Sequence, residues 1–230
     1  MYYYNSTLEY LIFIIPLIIS GYASFMVKYN FNKYSKVKSS SGVNGMETAR
    51  RVLNYNRVEG VTIERTNGYF TDYFDSRTNK ICLSSEVYDA QTISAVSVAA
   101  HESGHATQNA TGYLPLRFRH FLVPITQFGS NLSMPLIILG FLIPGFSFAI
   151  ELGIIFFSFS VIFQIVTLPV EFDASRRALE SIKATGILNE DEIKSSKKVL
   201  KAAAFTYVAA TFSAFASLLR LIVMYRNKKD

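Results

Sequence analysis

At 230 residues the chain suits one domain, or one soluble domain with a membrane part, and its single cysteine, Cys82, excludes an intrachain disulfide and any cysteine-based zinc knuckle. Half of the residues are apolar and gather into four runs near the ~20 residues that cross a bilayer, so the chain reads as a multi-pass protein of the cell membrane. Part of the net charge of +6 lies beside those runs, at Lys28, Lys33, Lys36 and Lys38 and at Arg226, Lys228 and Lys229, where it suits anionic lipid; no nucleic-acid motif is present.

Five segments follow in order. They are an N-terminal membrane anchor (1–27), a soluble segment (28–120), a membrane helical hairpin (121–168), a second soluble segment (169–201) and a C-terminal membrane helix with a basic tail (202–230). The apolar run at 10–27 has its positive charge after the apolar core, whereas a secretory signal carries it before. It therefore reads as a retained anchor, its Lys-rich end cytoplasmic and its N-terminus outside. Pro16 and Gly21 are breakers that spans tolerate.

In the first soluble segment, 42–57 reads as a short helix, with Asn44 as N-cap and Glu47 at the capping-box spacing. Residues 58–64 alternate weakly and suit a strand. The runs 69–74 and 80–83 flank Asp-Ser-Arg-Thr-Asn and suit a β-hairpin. Its edge either receives an extended substrate by strand addition or only covers the next helix. That helix starts at an N-cap, Thr92, and runs from Ile93 to about Asn109, with Gly112 and Pro115 ending it. Ser94, Ser97 or Val98, His101, His105 and Gln108 share one face of it. Gly104 costs about 1 kcal/mol of helix propensity against Ala, which suggests close packing there.

Arg117, Arg119 and His120 precede the hairpin as interfacial cations. Residues 142–146 split that hairpin, whose first arm is partly polar through Gln127, Ser130, Asn131 and Ser133. In the second soluble segment a helix over 171–182 opens on Glu171 and ends near Gly186. Asn189 and Glu192 then make a second capping-box start. The last apolar helix covers 202–225. This topology puts both soluble segments on the cytoplasmic side, but a fourth full span leaves the basic tail outside. Either that helix lies in the interface or the charge rule fails at this end.

Only one stretch names a chemistry: Ala99–Gln108, containing His101, Glu102 and His105 as His-Glu-x-x-His. On a helix the four-residue spacing stacks the two imidazoles on one face, where they can share a zinc ion, with Glu102 as general base toward water. With three His and eleven Glu in the chain, about 0.002 chance matches are expected. A catalytic zinc wants three protein ligands and an open position. The site is not of the metzincin type, because the eleventh position of that pattern, counted from His101, is Thr111 and the remaining histidine, His120, sits at a membrane boundary. The third ligand is then a carboxylate, Glu171 or Asp173. Arg176 and Arg177 satisfy Asp173 locally, so Glu171 is preferred, although a carboxylate opening a helix also complements the dipole without metal.

Ala99–Gln108, followed after a membrane hairpin by Leu-Pro-Val-Glu-Phe-Asp-Ala-Ser-Arg-Arg-Ala-Leu at 168–179, resembles the YugP-type neutral zinc metallopeptidases of bacteria over essentially the whole chain. The resemblance implies a zinc peptidase with His101, His105 and Glu171 as ligands and Glu102 as the catalytic carboxylate, a gluzincin-like set, and names no substrate. A more distant likeness is to HtpX-type membrane metalloproteases. Those carry Asp four residues after the third ligand, where this chain has Ser175. Asp173 lies about 200° round the helix from Glu171 and is no replacement.

The expected fold is mainly α: membrane-embedded helices with a zincin-like His-Glu-x-x-His helix and a small β-hairpin. The expected activity is hydrolysis of peptide or protein substrates at the cytoplasmic membrane face, with Zn2+ as cofactor, the lipid bilayer as neighbour and no nucleic acid. Arg176, Arg177, Tyr113 and His120 are candidates to assist the oxyanion. The rivals are a non-catalytic zinc scaffold, which wants a fourth protein ligand, and a transporter. Against the latter, only Glu151 and Arg220 place charge in the apolar runs, both near the ends.

Overall fold

The computed structural model describes the backbone of residues 2–229 and the side chains of residues 10–228. Met1 and Asp230, the outer ends of the expected anchor and tail, lie outside the described residues. In chain order the elements are α1 (Tyr2–Tyr34), α2 (Gly45–Tyr55), β1 (Thr62–Thr66), β2 (Tyr73–Asp75), β3 (Lys80–Ser84) and α3 (Ser85–Tyr88). There follow α4 (Ile93–Ala110), α5 (Leu114–Leu142), α6 (Phe148–Ala184) and α7 (Glu190–Lys229). Among the described residues, α1, α5, α6 and α7 are long and apolar enough to cross a membrane. The fold is mainly helical with a small sheet, as the sequence suggests.

Several boundaries differ, each for a local reason. The strand expected at 58–64 begins only at Thr62, because Arg57 (φ 55°) and Gly60 (φ 72°) turn the chain first. The first hairpin arm shrinks to β2, since Gly68 (φ 113°) and Phe70 (φ 56°) interrupt the run before it. β2 pairs antiparallel with β3, the expected hairpin, and β1 adds parallel to the other side of β3, from Thr62 opposite Lys80 to Thr66 opposite Ser84. The result is a three-stranded sheet of order β1-β3-β2.

Pro115 does not end α4; it lies in the first turn of α5, where its missing N–H is no loss. α4 ends instead in a Schellman turn around Gly112 (φ 63°), with Gly112 N–H to Asn109 O at 3.1 Å and Tyr113 N–H to Gln108 O at 3.0 Å. Arg117, Arg119 and His120 thus ride on the first turns of α5 rather than preceding it.

The larger correction concerns Glu171. No helix starts there: α6 runs unbroken through Pro169, so Glu171 lies well inside a helix and faces no N-terminal dipole. An interior proline costs about 3 kcal/mol. Here the face beyond it is fully packed, with Val170, Ala174 and Ala178 at 0% exposure, which offsets that cost. α7 is likewise continuous. Asn189 makes the reciprocal capping box at its start, its Oδ1 accepting from Glu192 N–H at 3.0 Å while Glu192 Oε2 accepts from Asn189 N–H at 2.9 Å.

The chain divides into two compact units. One comprises Ser24–Leu116 and Pro169–Phe205. Within it α4 lies between two apolar clusters. Ala95, Ala99 and Ala106 meet Ala49 and Leu53 of α2, Ile81 and Leu83 of β3, and Val87 of α3. Ile93, Val96 and Ala100 meet Ala178 and Ile182 of α6 and Val199 and Leu200 of α7. Small residues along α4 let both neighbours approach, and the apolar burial makes this helix the axis of the unit.

The other unit holds the described parts of residues 1–23 and 206–230 together with Arg117–Leu168. Its helices α5 and α6 are joined by the turn at 143–147, close to the expected 142–146. Hydroxyls link them: Ser130 Oγ lies 2.8 Å from Ser160 Oγ, and Ser133 Oγ donates to Gly153 O at 2.8 Å.

Candidate metal centre

Helix α4 contains His-Glu-x-x-His in one uninterrupted stretch. The helical spacing stacks the two imidazoles edge-on, ring centroids 4.7 Å apart at 81°. They are brought to α6 by Gly104, which sits between them: a Cβ there would lie 2.6 Å from Ala174 O and 3.2 Å from Ala174 Cα. Only a residue without a side chain permits this approach. The propensity lost at Gly104 is therefore exchanged for a close helix crossing.

At that crossing Glu171, 2% exposed, points a carboxylate at the imidazoles. Its Oε2 lies 3.3 Å from His101 Nε2 and 3.5 Å from His105 Nε2. Two donors each 2.1 Å from a tetrahedral ion stand roughly 3.4 Å apart, so these separations fit a zinc-sized ion. His101, His105 and Glu171 can each offer a ligand atom, all within 4.8 Å of one another. The imidazoles keep a little exposure, 13% and 12% of their side chains, so the cluster is not fully sealed.

Glu102 is 8% exposed and follows His101 directly. Burial raises its carboxyl above the ordinary range, against the pull of both imidazoles. Burial works against a charged His105, but the Glu171 and Glu102 carboxylates and Gln108 together outweigh it and the net shift is upward.

The far nitrogen of each imidazole is engaged as well. Ser175 Oγ lies 3.2 Å from His101 Nδ1, and Gln108 Oε1 lies 3.0 Å from His105 Nδ1. The hydroxyl that replaces the HtpX-type Asp thus takes up a supporting position of its own. Gln108 had no role assigned from sequence, although its i+3 spacing from His105 places it one turn away on the same face. Asp173 is not part of the His101–His105–Glu171 cluster. It accepts from Gln108 Nε2 at 2.9 Å and Arg177 Nε at 2.6 Å, and pairs with Arg176, which confirms the expected local ion pairs.

Of the residues proposed to assist an oxyanion, Arg176 is also bound by Glu180 at 2.7 Å, and Arg177 lies over the Tyr113 ring, 5.7 Å from its centroid. Tyr113 Oη is 3.5 Å from Pro169 O. His120 belongs to the other unit.

Comparison with known proteins agrees with this geometry. Residues 9–226 match the family described as "Putative neutral zinc metallopeptidase". The chain is 45% identical over 212 residues to the "Putative membrane protease YugP" of Bacillus subtilis (strain 168), covering 92% of this chain and 94% of that protein. No solved structure matches it. With the family match spanning nearly its full length, the chain belongs to this neutral zinc metallopeptidase family.

Proposed function

We propose that the protein is a membrane-bound, gluzincin-like zinc endopeptidase that hydrolyses peptide or protein substrates at the cytoplasmic face of the cell membrane. The observation that carries this reading is the convergence of His101 Nε2, His105 Nε2 and Glu171 Oε2 with separations suited to a tetrahedral ion. These three residues would hold zinc; when bound, it would acidify water and polarise a peptide carbonyl.

The chain's own chemistry falls to Glu102. Its carboxylate takes a proton from the attacking water and later gives it to the leaving amine nitrogen. Its buried, raised carboxyl suits a group that must both accept and release a proton. Glu171 supplies one negative charge to the cluster, and the two imidazoles supply none when neutral, so the site retains affinity for water and a carbonyl. β2 is an edge strand of the sheet and packs against α4, and an extended peptide would pair with the main chain along its outer edge. A closed structural zinc site would need a fourth protein donor. Among the described residues the cluster has three.

The test uses the purified full chain in detergent with unfolded casein as substrate. Cleavage should be blocked by a chelator and restored by zinc. Glu102→Gln should keep its zinc and lose cleavage. A folded Glu102→Gln protein with full activity would overturn the reading.

A further inference from the structure

The two imidazoles are supported from behind in different ways, and the difference singles out Gln108. Ser175 beside His101 is a hydroxyl, which can donate or accept and so suits either ring tautomer. Gln108 beside His105 has no such freedom. Its side chain is fully buried at 0% exposure, and one end of its amide faces two groups that only accept: Val170 O at 2.8 Å and Asp173 Oδ2 at 2.9 Å. That end is therefore the NH2, which leaves the amide oxygen toward His105 Nδ1. An amide oxygen only accepts, so Nδ1 carries the ring proton and Nε2 keeps its lone pair on the Glu171 side.

The anchor for this orientation comes from α6. Val170 and Asp173 are three residues apart and flank Glu171, so the turn that presents the carboxylate also fixes the amide. Asp173 is itself held by Arg177 and Arg176, which keep it an ionised acceptor.

The geometry points to Gln108 as a positioning residue. Oriented by Asp173 and the Val170 carbonyl, it locks His105 in the Nδ1–H tautomer and so holds Nε2 as a metal donor. This assignment rests on the zinc reading proposed above. It also gives the Asp173–Arg177 pair a part in the site, two bonds removed from the metal position.

The experiment measures zinc affinity of the full chain in detergent by competition with a chelating dye, together with the visible spectrum of the Co2+-loaded protein. Gln108→Met keeps the volume and removes both amide atoms. Long-range 1H–15N NMR of the zinc-free, 15N-histidine-labelled full chain, at a pH where the ring is neutral, reads the His105 tautomer directly. Gln108→Met should bind zinc about 10–100-fold more weakly, with an altered Co2+ spectrum. His105 of the wild-type chain should carry its proton on Nδ1, an outcome that packing alone does not give.

Wild-type affinity and spectrum in Gln108→Met would overturn the assignment while leaving the zinc reading intact. So would a neutral His105 protonated on Nε2 in the wild-type chain, which decides the matter even where Gln108→Met yields no folded protein. A wild-type chain without zinc affinity would overturn both.

Discussion

In the unit built from Arg117–Leu168 and the terminal segments, large apolar side chains face outward: Leu17 and Ile18 are each 63% exposed, and Phe128 is also 63% exposed. Its helices meet through small residues and hydroxyls instead. A Cβ on Gly153 would lie 2.8 Å from Ser133 O, and one on Gly129 would lie 3.0 Å from Phe156 O. Such surfaces suit lipid, where apolar burial gives helices no reason to associate and close packing with hydrogen bonds must serve. The unit built from Ser24–Leu116 and Pro169–Phe205 is organised the other way, with aliphatic clusters on both sides of α4 and caps and ion pairs outside. Yet it too uses close glycine contacts, at Gly45 against Val87 and, beside the metal-ligand residues, at Gly104 against Ala174. In one unit a close crossing holds helices together; in the other it brings metal-ligand side chains together.

Five substitutions probe this comparison, in order of falling effect. Glu171→Ala removes one of the three donors, and zinc uptake at equimolar metal and casein cleavage should both vanish while the helical circular dichroism stays. Zinc retained at full occupancy would show that the third donor lies elsewhere. Gly104→Ala and Gly153→Ala each force a backbone shift, with an expected cost of about 1–3 kcal/mol in thermal unfolding. Only Gly104→Ala should also weaken zinc binding, by roughly tenfold or more. Equal zinc affinities in the two glycine variants would erase the distinction between the units.

Asn189→Ala breaks the reciprocal box at the start of α7 and should cost about 1 kcal/mol without moving zinc affinity. Smallest is Glu47→Ala on α2, which loses ion pairs to Arg50 and Arg51 on the surface; a few tenths of a kcal/mol are expected in a denaturant titration.

The sequence carries the local half of the site plainly, because His101, Glu102 and His105 lie within five residues and one helical period places them. Asn44, Thr92 and Asn189 announce helix starts for the same reason: a cap acts within three residues of itself. Glu171 is legible as a candidate by elimination among few carboxylates, but its helix is not. Pro169 reads as a boundary, and only tertiary packing of Val170 and Ala174 against α4 keeps α6 continuous through it. The strand limits shift because Arg57 and Phe70 adopt positive φ, which no propensity of those residue types suggests. Ser175 and the Gln108–Asp173 bond join α4 to α6 across more than sixty residues of chain, and no local pattern encodes such a contact.

The central claim is that His101, His105 and Glu171 hold one zinc ion beside Glu102. Anomalous X-ray scattering at the zinc edge from crystals of the zinc-loaded chain tests it most directly. A single peak should stand about 2.0–2.2 Å from a ring nitrogen of each histidine and from a Glu171 carboxylate oxygen. A peak elsewhere, or one at the histidines with Glu171 beyond about 3 Å and another residue in its place, would contradict the claim.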